Sequence, residues 1–176
     1  MKQHFIRYWL GIVALTAGLN FAAAASDTYR VTANVAHCVP LSATQQQWLS
    51  SEWAPFLGYA RVCPIRNPKR VAVVLLVSVR ADLYYKAQPG KTVVQVQIPH
   101  ALLFSPEGEL LGSLPHSFPD DPPAEIRVTF AHWEHDFPQQ IDLFVTDPRE
   151  AGSGALPPLV WDPEHKRFVT REGIHE

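Results

Sequence analysis

Fifteen consecutive residues, Val71 to Tyr85 (VAVVLLVSVRADLYY), constrain this chain more than any other stretch. Every second residue, from Val71 through Val73, Leu75, Val77, Val79, Ala81 and Leu83 to Tyr85, is apolar, which is the period of a β-strand. The alternate face begins with Ala72, Val74 and Leu76 and turns polar at Ser78, Arg80 and Asp82. A strand covered on both faces at first and wet on one face later belongs at the centre of a layered β structure.

Shorter strands read clearly around it. Val94, Val96 and Ile98 alternate with Gln95 and Gln97, and Ile126, Val128 and Phe130 alternate with Glu125, Arg127 and Thr129. Ile141, Leu143 and Val145 supply an antiparallel partner for the second of these. Leu102 to Phe104 and Glu109 to Gly112 flank Ser105-Pro106-Glu107-Gly108, a hairpin with Pro second and Gly fourth in its turn. Leu159-Val160-Trp161 and Arg167-Phe168-Val169 form a final hairpin. Leu114 to Pro123, with four prolines, and Asp147 to Pro158, with Gly152-Ser153-Gly154, are expected loops. About seven strands, one early helix and 16 prolines predict a mainly β chain: an antiparallel β-sandwich with one short N-terminal α-helix, with an open β-barrel as the alternative.

The N-terminus carries Lys2 and Arg7, an apolar run from Trp9 to Leu19, and Ala22 to Ala25. A positive start, a short apolar middle and small residues at the cleavage positions describe a secretory signal peptide, residues 1–25, with cleavage after Ala25. Residues 26–176 are then one disulfide-stapled β-rich domain, periplasmic or extracellular. Removing two basic residues and no acidic ones moves the formal charge from −2 to −4. An acidic domain lacks the basic footprint of a nucleic-acid or anionic-membrane binder, so neither partner is expected.

The chain has two cysteines, Cys38 and Cys63, and in an exported protein these are expected to pair. Between them, Ser42-Ala43-Thr44-Gln45 has the form of a capping box and predicts a helix from Ala43 to Trp53, ended by Pro55. Trp48, Leu49 and Trp53 would lie on the sheet.

The one metal-like spacing is His132-Trp133-Glu134-His135-Asp136. Two histidines three apart share a face on a helix and would suit Zn or Cu. Strand phase instead places His132 among the core residues and His135 on the opposite face. No Gly-x-Ser-x-Gly elbow, Ser-x-x-Lys, His-Glu-x-x-His or phosphate-cradling glycine loop is present, and no catalytic residue is assigned. The expectation is a non-enzymatic binding or accessory protein without a cofactor, acting through its loops and a strand edge. Its partner would be an envelope or secreted protein, met by Phe118 and Leu156, or a glycan stacked on Trp133 or Trp161. The alternatives are a periplasmic Zn/Cu-binding protein using His132 and His135, and a hydrolase of unrecognised type.

Overall fold

The structure, a computed structural model, describes residues 29–34, 37–87, 97–115, 125–146 and 153–170. Among the described residues, ten strands form two antiparallel sheets packed as a sandwich, with no closed barrel. One sheet holds β1 (Val31–Thr32), β7 (Glu125–Glu134), β8 (Phe137–Thr146), β9 (Gly154–Asp162) and β10 (Arg167–Thr170), in that order. The other holds β2 (Val39–Pro40), β3 (Ala60–Arg66), β4 (Ala72–Val79), β5 (Leu102–Phe104) and β6 (Leu110–Ser113).

The expected central strand is β4, the third of five in its sheet, but the face of Val74 and Leu76, expected to turn wet at Ser78, is the one that lies between the sheets. Val74 and Leu76 point between the sheets, where they join Leu103, Val128, Phe130, Ile141, Leu143, Leu159 and Phe168 in one apolar core. Leu75, Val77 and Val79 point outward and are buried as deeply, under Trp53, Phe56 and Tyr84. Both faces of β4 are therefore dry. Ser78, expected in water, is fully buried, and its hydroxyl has no hydrogen-bond partner among the described residues.

β4 stops at Val79, and residues Ala81–Lys86 form α2 instead of extending the strand to Tyr85. Two patterns compete over these residues. Ala81, Leu83 and Tyr85 fit a two-residue period, whereas the buried pair Ala81 and Tyr84 fits one helical turn, with Asp82 in the first turn and Lys86 in the last to complement the helix dipole. Helix wins where the neighbouring strand gives out: β3 begins at Ala60, opposite Val79.

The early helix is also shorter than expected. The capping box forms, with Ser42 Oγ accepting from Gln45 N at 3.3 Å and Gln45 Oε1 accepting from Ser42 N at 2.9 Å. Yet α1 covers only Ala43–Gln46, and a 3₁₀ helix, Ser51–Phe56, follows with Pro55 inside it. On one continuous helix Trp48 and Trp53 would stand about 140° apart and could not both face the sheet. The break lets Trp53 bury to 1 % exposure while Trp48 lies over Phe104 at 5.4 Å and over Gly108. Gly108, with φ +96°, has no Cβ to collide with that indole.

Cys38 and Cys63 are disulfide-bonded, as expected, with Cα atoms 4.6 Å apart. Val39 pairs with Val62 and Pro40 with Arg61, so the same register carries Cys38 opposite Cys63 on the sheet edge. Two other expectations change. The strand expected at Val94–Ile98 lies mostly outside the described residues, and Ile98 is buried without belonging to a strand. The loop expected to run to Pro158 gives way at Gly154 to β9.

Candidate functional site

The two ends of the sandwich differ in kind. At one end the strands are joined by tight turns of two to five residues: 67–71, 105–109, 135–136 and 163–166. Asn67 shows how firmly such a turn is held. It is buried, donates its N–H to Val71 O at 2.9 Å, and accepts from Val71 N on its side-chain oxygen at 3.0 Å. His135 and Asp136 both have positive φ, 49° and 64°, as a two-residue type I′ turn requires. The two sheets are tied at this end by the Lys69–Asp136 ion pair and by Tyr29, whose hydroxyl donates to Arg66 O at 3.0 Å.

At the opposite end the connections run from seven to 22 residues: 41–59, 80–101, 114–124 and 147–153. Glu125 pairs with Thr146 and Val145 with Gly154, so the start of β7, the end of β8 and the start of β9 lie side by side at this end of one sheet. From the facing sheet the same end receives the start of β3, the end of β4 with α2, and the junction where Leu114 N donates to Ala101 O and His100 Nδ1 lies 3.0 Å from Leu114 O.

The described part of this long-connection end is built around α2. Arg80 N donates to Tyr59 O at 2.9 Å, fixing the chain before β3 against the chain after β4. The Arg80 guanidinium grips Asp82 through two hydrogen bonds of 2.7 Å, Nε to Oδ1 and Nη2 to Oδ2. Those bonds hold the Asp82 carboxyl below its ordinary range against the opposing effect of burial, and raise Arg80. Beneath them, Tyr84 is buried with Phe56 at 5.0 Å and Tyr59 edge-on at 5.3 Å.

The residues singled out from sequence scatter. Phe118 lies outside the described residues. Trp133 is 5 % exposed, stands edge-on to Tyr29 at 5.1 Å and donates Nε1 to Phe130 O at 3.3 Å, so no ring face is open to a sugar. The cause is His132, whose φ of 50° turns its own side chain out to solvent and swings Trp133 into the core, the reverse of strand phase. Trp161 is half-buried against Phe137 and Phe168 at 4.7 and 5.1 Å. Leu156 sits in β9 opposite Leu143 and packs on the core. His132 and His135 are both exposed at the tight-turn end, and no group of three or more His, Cys, Asp or Glu side chains gathers among the described residues. Arg80 and Asp82 lie in the stretch whose two-residue period predicts strand, and the one-turn spacing of Ala81 and Tyr84 is the signal that separates them from it; Tyr59 lies between the predicted helix and Cys63, in a stretch with no periodic signal of its own.

Comparison of the chain with described protein families, with characterised proteins and with solved structures gives no match. Among the described residues, no helix is long and apolar enough to cross a membrane.

Proposed function

We propose that this is an exported, non-enzymatic binding protein that meets a protein partner in the periplasm or outside the cell with the long-connection end of its sandwich. The observation that carries the reading is the segregation of connections: apart from 33–38, which passes from β1 to β2 in the facing sheet, the four shortest connections lie at one end and the four longest issue from the other. A rigid scaffold with its irregular segments gathered at one end presents them to a partner at low entropic cost. The disulfide supports export, since such bonds persist in oxidising compartments.

Strand edges support the reading less than loops do. Pro64 lies on β3 beyond the two residues that β2 pairs, and Pro157 and Pro158 lie on β9 before its pairing with β10 begins at Leu159. Proline offers no N–H to an incoming strand, so these edges are blunted.

The test is chemical cross-linking of the tagged protein in its own host, followed by purification and identification of what is attached. The expected result is a specific partner that disappears with Phe118→Ala or with 147–152 replaced by a short Gly-Ser turn, and that persists with Lys69→Ala at the tight-turn end. A partner indifferent to both loop changes, or lost only with Lys69→Ala, refutes the proposal.

A further inference from the structure

Resting only on the export in that reading, we infer that Cys38 is the entry point for thiol–disulfide exchange. A second kind of partner follows, a thiol–disulfide oxidoreductase, whose mixed disulfide with this chain forms on Cys38 and not on Cys63. The sheet register carries the argument. Val39 pairs with Val62, Cys63 with Leu76 and Leu76 with Leu103, so Cys38, Cys63, Leu76 and Leu103 stand in one row across the sheet. The row starts at an edge, since β2 is first in the strand order and pairs with no strand but β3 among the described residues. Cys38 is half-buried there, between exposed His37 and Val39, which is 54 % exposed. Asn34 O, 3.3 Å from Cys38 Sγ, belongs to an exposed residue. The row then runs into the core between the sheets, where Cys63 is 5 % exposed and Leu76 and Leu103 are fully buried.

Exchange is a displacement at sulfur, in which the incoming thiolate and the departing sulfur lie on opposite sides of the sulfur attacked. Attack on Cys38 Sγ expels Cys63, so the nucleophile arrives from beyond β2, over the exposed edge. Attack on Cys63 Sγ expels Cys38, so the nucleophile would have to arrive from the side of buried Leu76. Formation of the bond obeys the same geometry. The Cys38 thiolate attacks the disulfide of the oxidoreductase and releases one of its two sulfurs as a thiolate. The Cys63 thiolate then attacks Cys38 Sγ from the β3 side; the Cys63–Cys38 bond forms, the Cys38–enzyme bond breaks, and the second enzyme sulfur departs over the edge. Two electrons pass from the pair of cysteines to the enzyme, which leaves as a dithiol. Chain order agrees, since Cys38 precedes Cys63 by 25 residues and reaches an oxidising compartment first during export from the N-terminus.

The test maps the first product of exchange. Oxidised wild-type protein, without denaturant, is exposed briefly to reduced glutathione, quenched with N-ethylmaleimide and digested for mass spectrometry. The expected product carries glutathione on Cys38 and N-ethylmaleimide on Cys63, in at least about tenfold excess over the reverse. In the protein's own host, Cys63→Ala is expected to accumulate a reductant-sensitive adduct with a thiol–disulfide oxidoreductase, at least about tenfold more than Cys38→Ala. Glutathione found equally on both cysteines, mainly on Cys63 or on neither overturns this inference and leaves export and the loop reading standing. Adducts no more abundant from Cys63→Ala than from Cys38→Ala do the same. Wild-type protein recovered from the host with both thiols reduced overturns export and this inference together. The glutathione experiment uses the wild type, so it decides the matter even where a single-cysteine variant fails to fold.

Discussion

Removing the Cys38–Cys63 bond is expected to lower the melting temperature by about 7 to 14 °C. The two residues are 25 apart in sequence. Closing a loop of that length restricts the unfolded chain by roughly 12 cal/mol/K, or about 3.5 kcal/mol at 25 °C in the chain-entropy treatment. For a chain of this size each kcal/mol moves the midpoint by about 2 to 4 °C. The closed loop carries α1 and the 3₁₀ helix, so the bond also holds the layer that covers Leu75, Val77 and Phe104. Two perturbations separate the bond from its packing: reduction of the wild type with a dithiol, and the double substitution Cys38→Ala/Cys63→Ala. Cys63 is buried, so the double variant is expected to melt slightly below the reduced protein, by the small cavity its sulfur leaves. Differential scanning calorimetry reads both, after mass spectrometry of the unreduced protein has confirmed the bond. A shift under 3 °C in both would refute the argument, because the loop would then be constrained by something other than the disulfide.

Val77→Asp and Leu76→Asp are both expected to abolish soluble expression, since both faces of β4 are dry and either places an unpaired charge there; soluble Val77→Asp protein with a normal melting temperature would show that the helical layer does not cover the sheet. Gly108→Ala is expected to cost about 1 to 3 kcal/mol, read by urea titration, because the residue keeps φ +96° and its new methyl meets Trp48 at 2.6 Å; an unchanged midpoint would place Trp48 elsewhere. Asp82 has a folded-state affinity for protons below its unfolded one, so its pairing with Arg80 contributes stability above about pH 4 that is lost as pH falls further. Asp82→Asn should therefore narrow the difference in melting temperature between pH 6 and pH 3, and an identical difference in wild type and variant would contradict the pairing.

The β architecture was legible because its signals are local and repeated. β7 and β8 announce themselves by alternation, the β5–β6 and β9–β10 hairpins by their turn residues, and the disulfide by cysteine count. Which face of β4 lies between the sheets was not legible, because Val74 and Leu76 are as apolar as Leu75 and Val77; only the location of Trp53 and Phe56 decides it. The helix at Ala81–Lys86 was masked by a coincidence, since Ala81, Leu83 and Tyr85 continue a two-residue period by accident of composition. Likewise no propensity shows that the residue at 132 takes a positive φ, and that one angle exchanges the roles of His132 and Trp133.

That exchange bears on how a site is sought in a chain of this kind. Tryptophans attract attention as ligand platforms, yet Trp53 and Trp133 are among the most buried residues, and Trp48 and Trp161 are engaged with Phe104 and with Phe137 and Phe168. Large aromatics fill much of a sandwich core with few residues, so their number reports on the core before it reports on a ligand. The stronger guide is where the chain spends its length. Antiparallel strands need only two to five residues to turn, and four of the connections use no more. Of the other five, 33–38 passes from β1 to β2 in the facing sheet, and four run to seven residues or more. One of them, 41–59, accounts for its length by covering the outer face of β4 with Trp53 and Phe56. Another, 114–124, carries the chain from β6, the edge strand that meets β10, to β7 beside the opposite edge of the other sheet, and needs its length for that crossing. The segments 80–101 and 147–153 join strands that pair directly, β4 with β5 and β8 with β9, so closing the fold does not require their length, and that surplus is the reason to look for the partner where they issue.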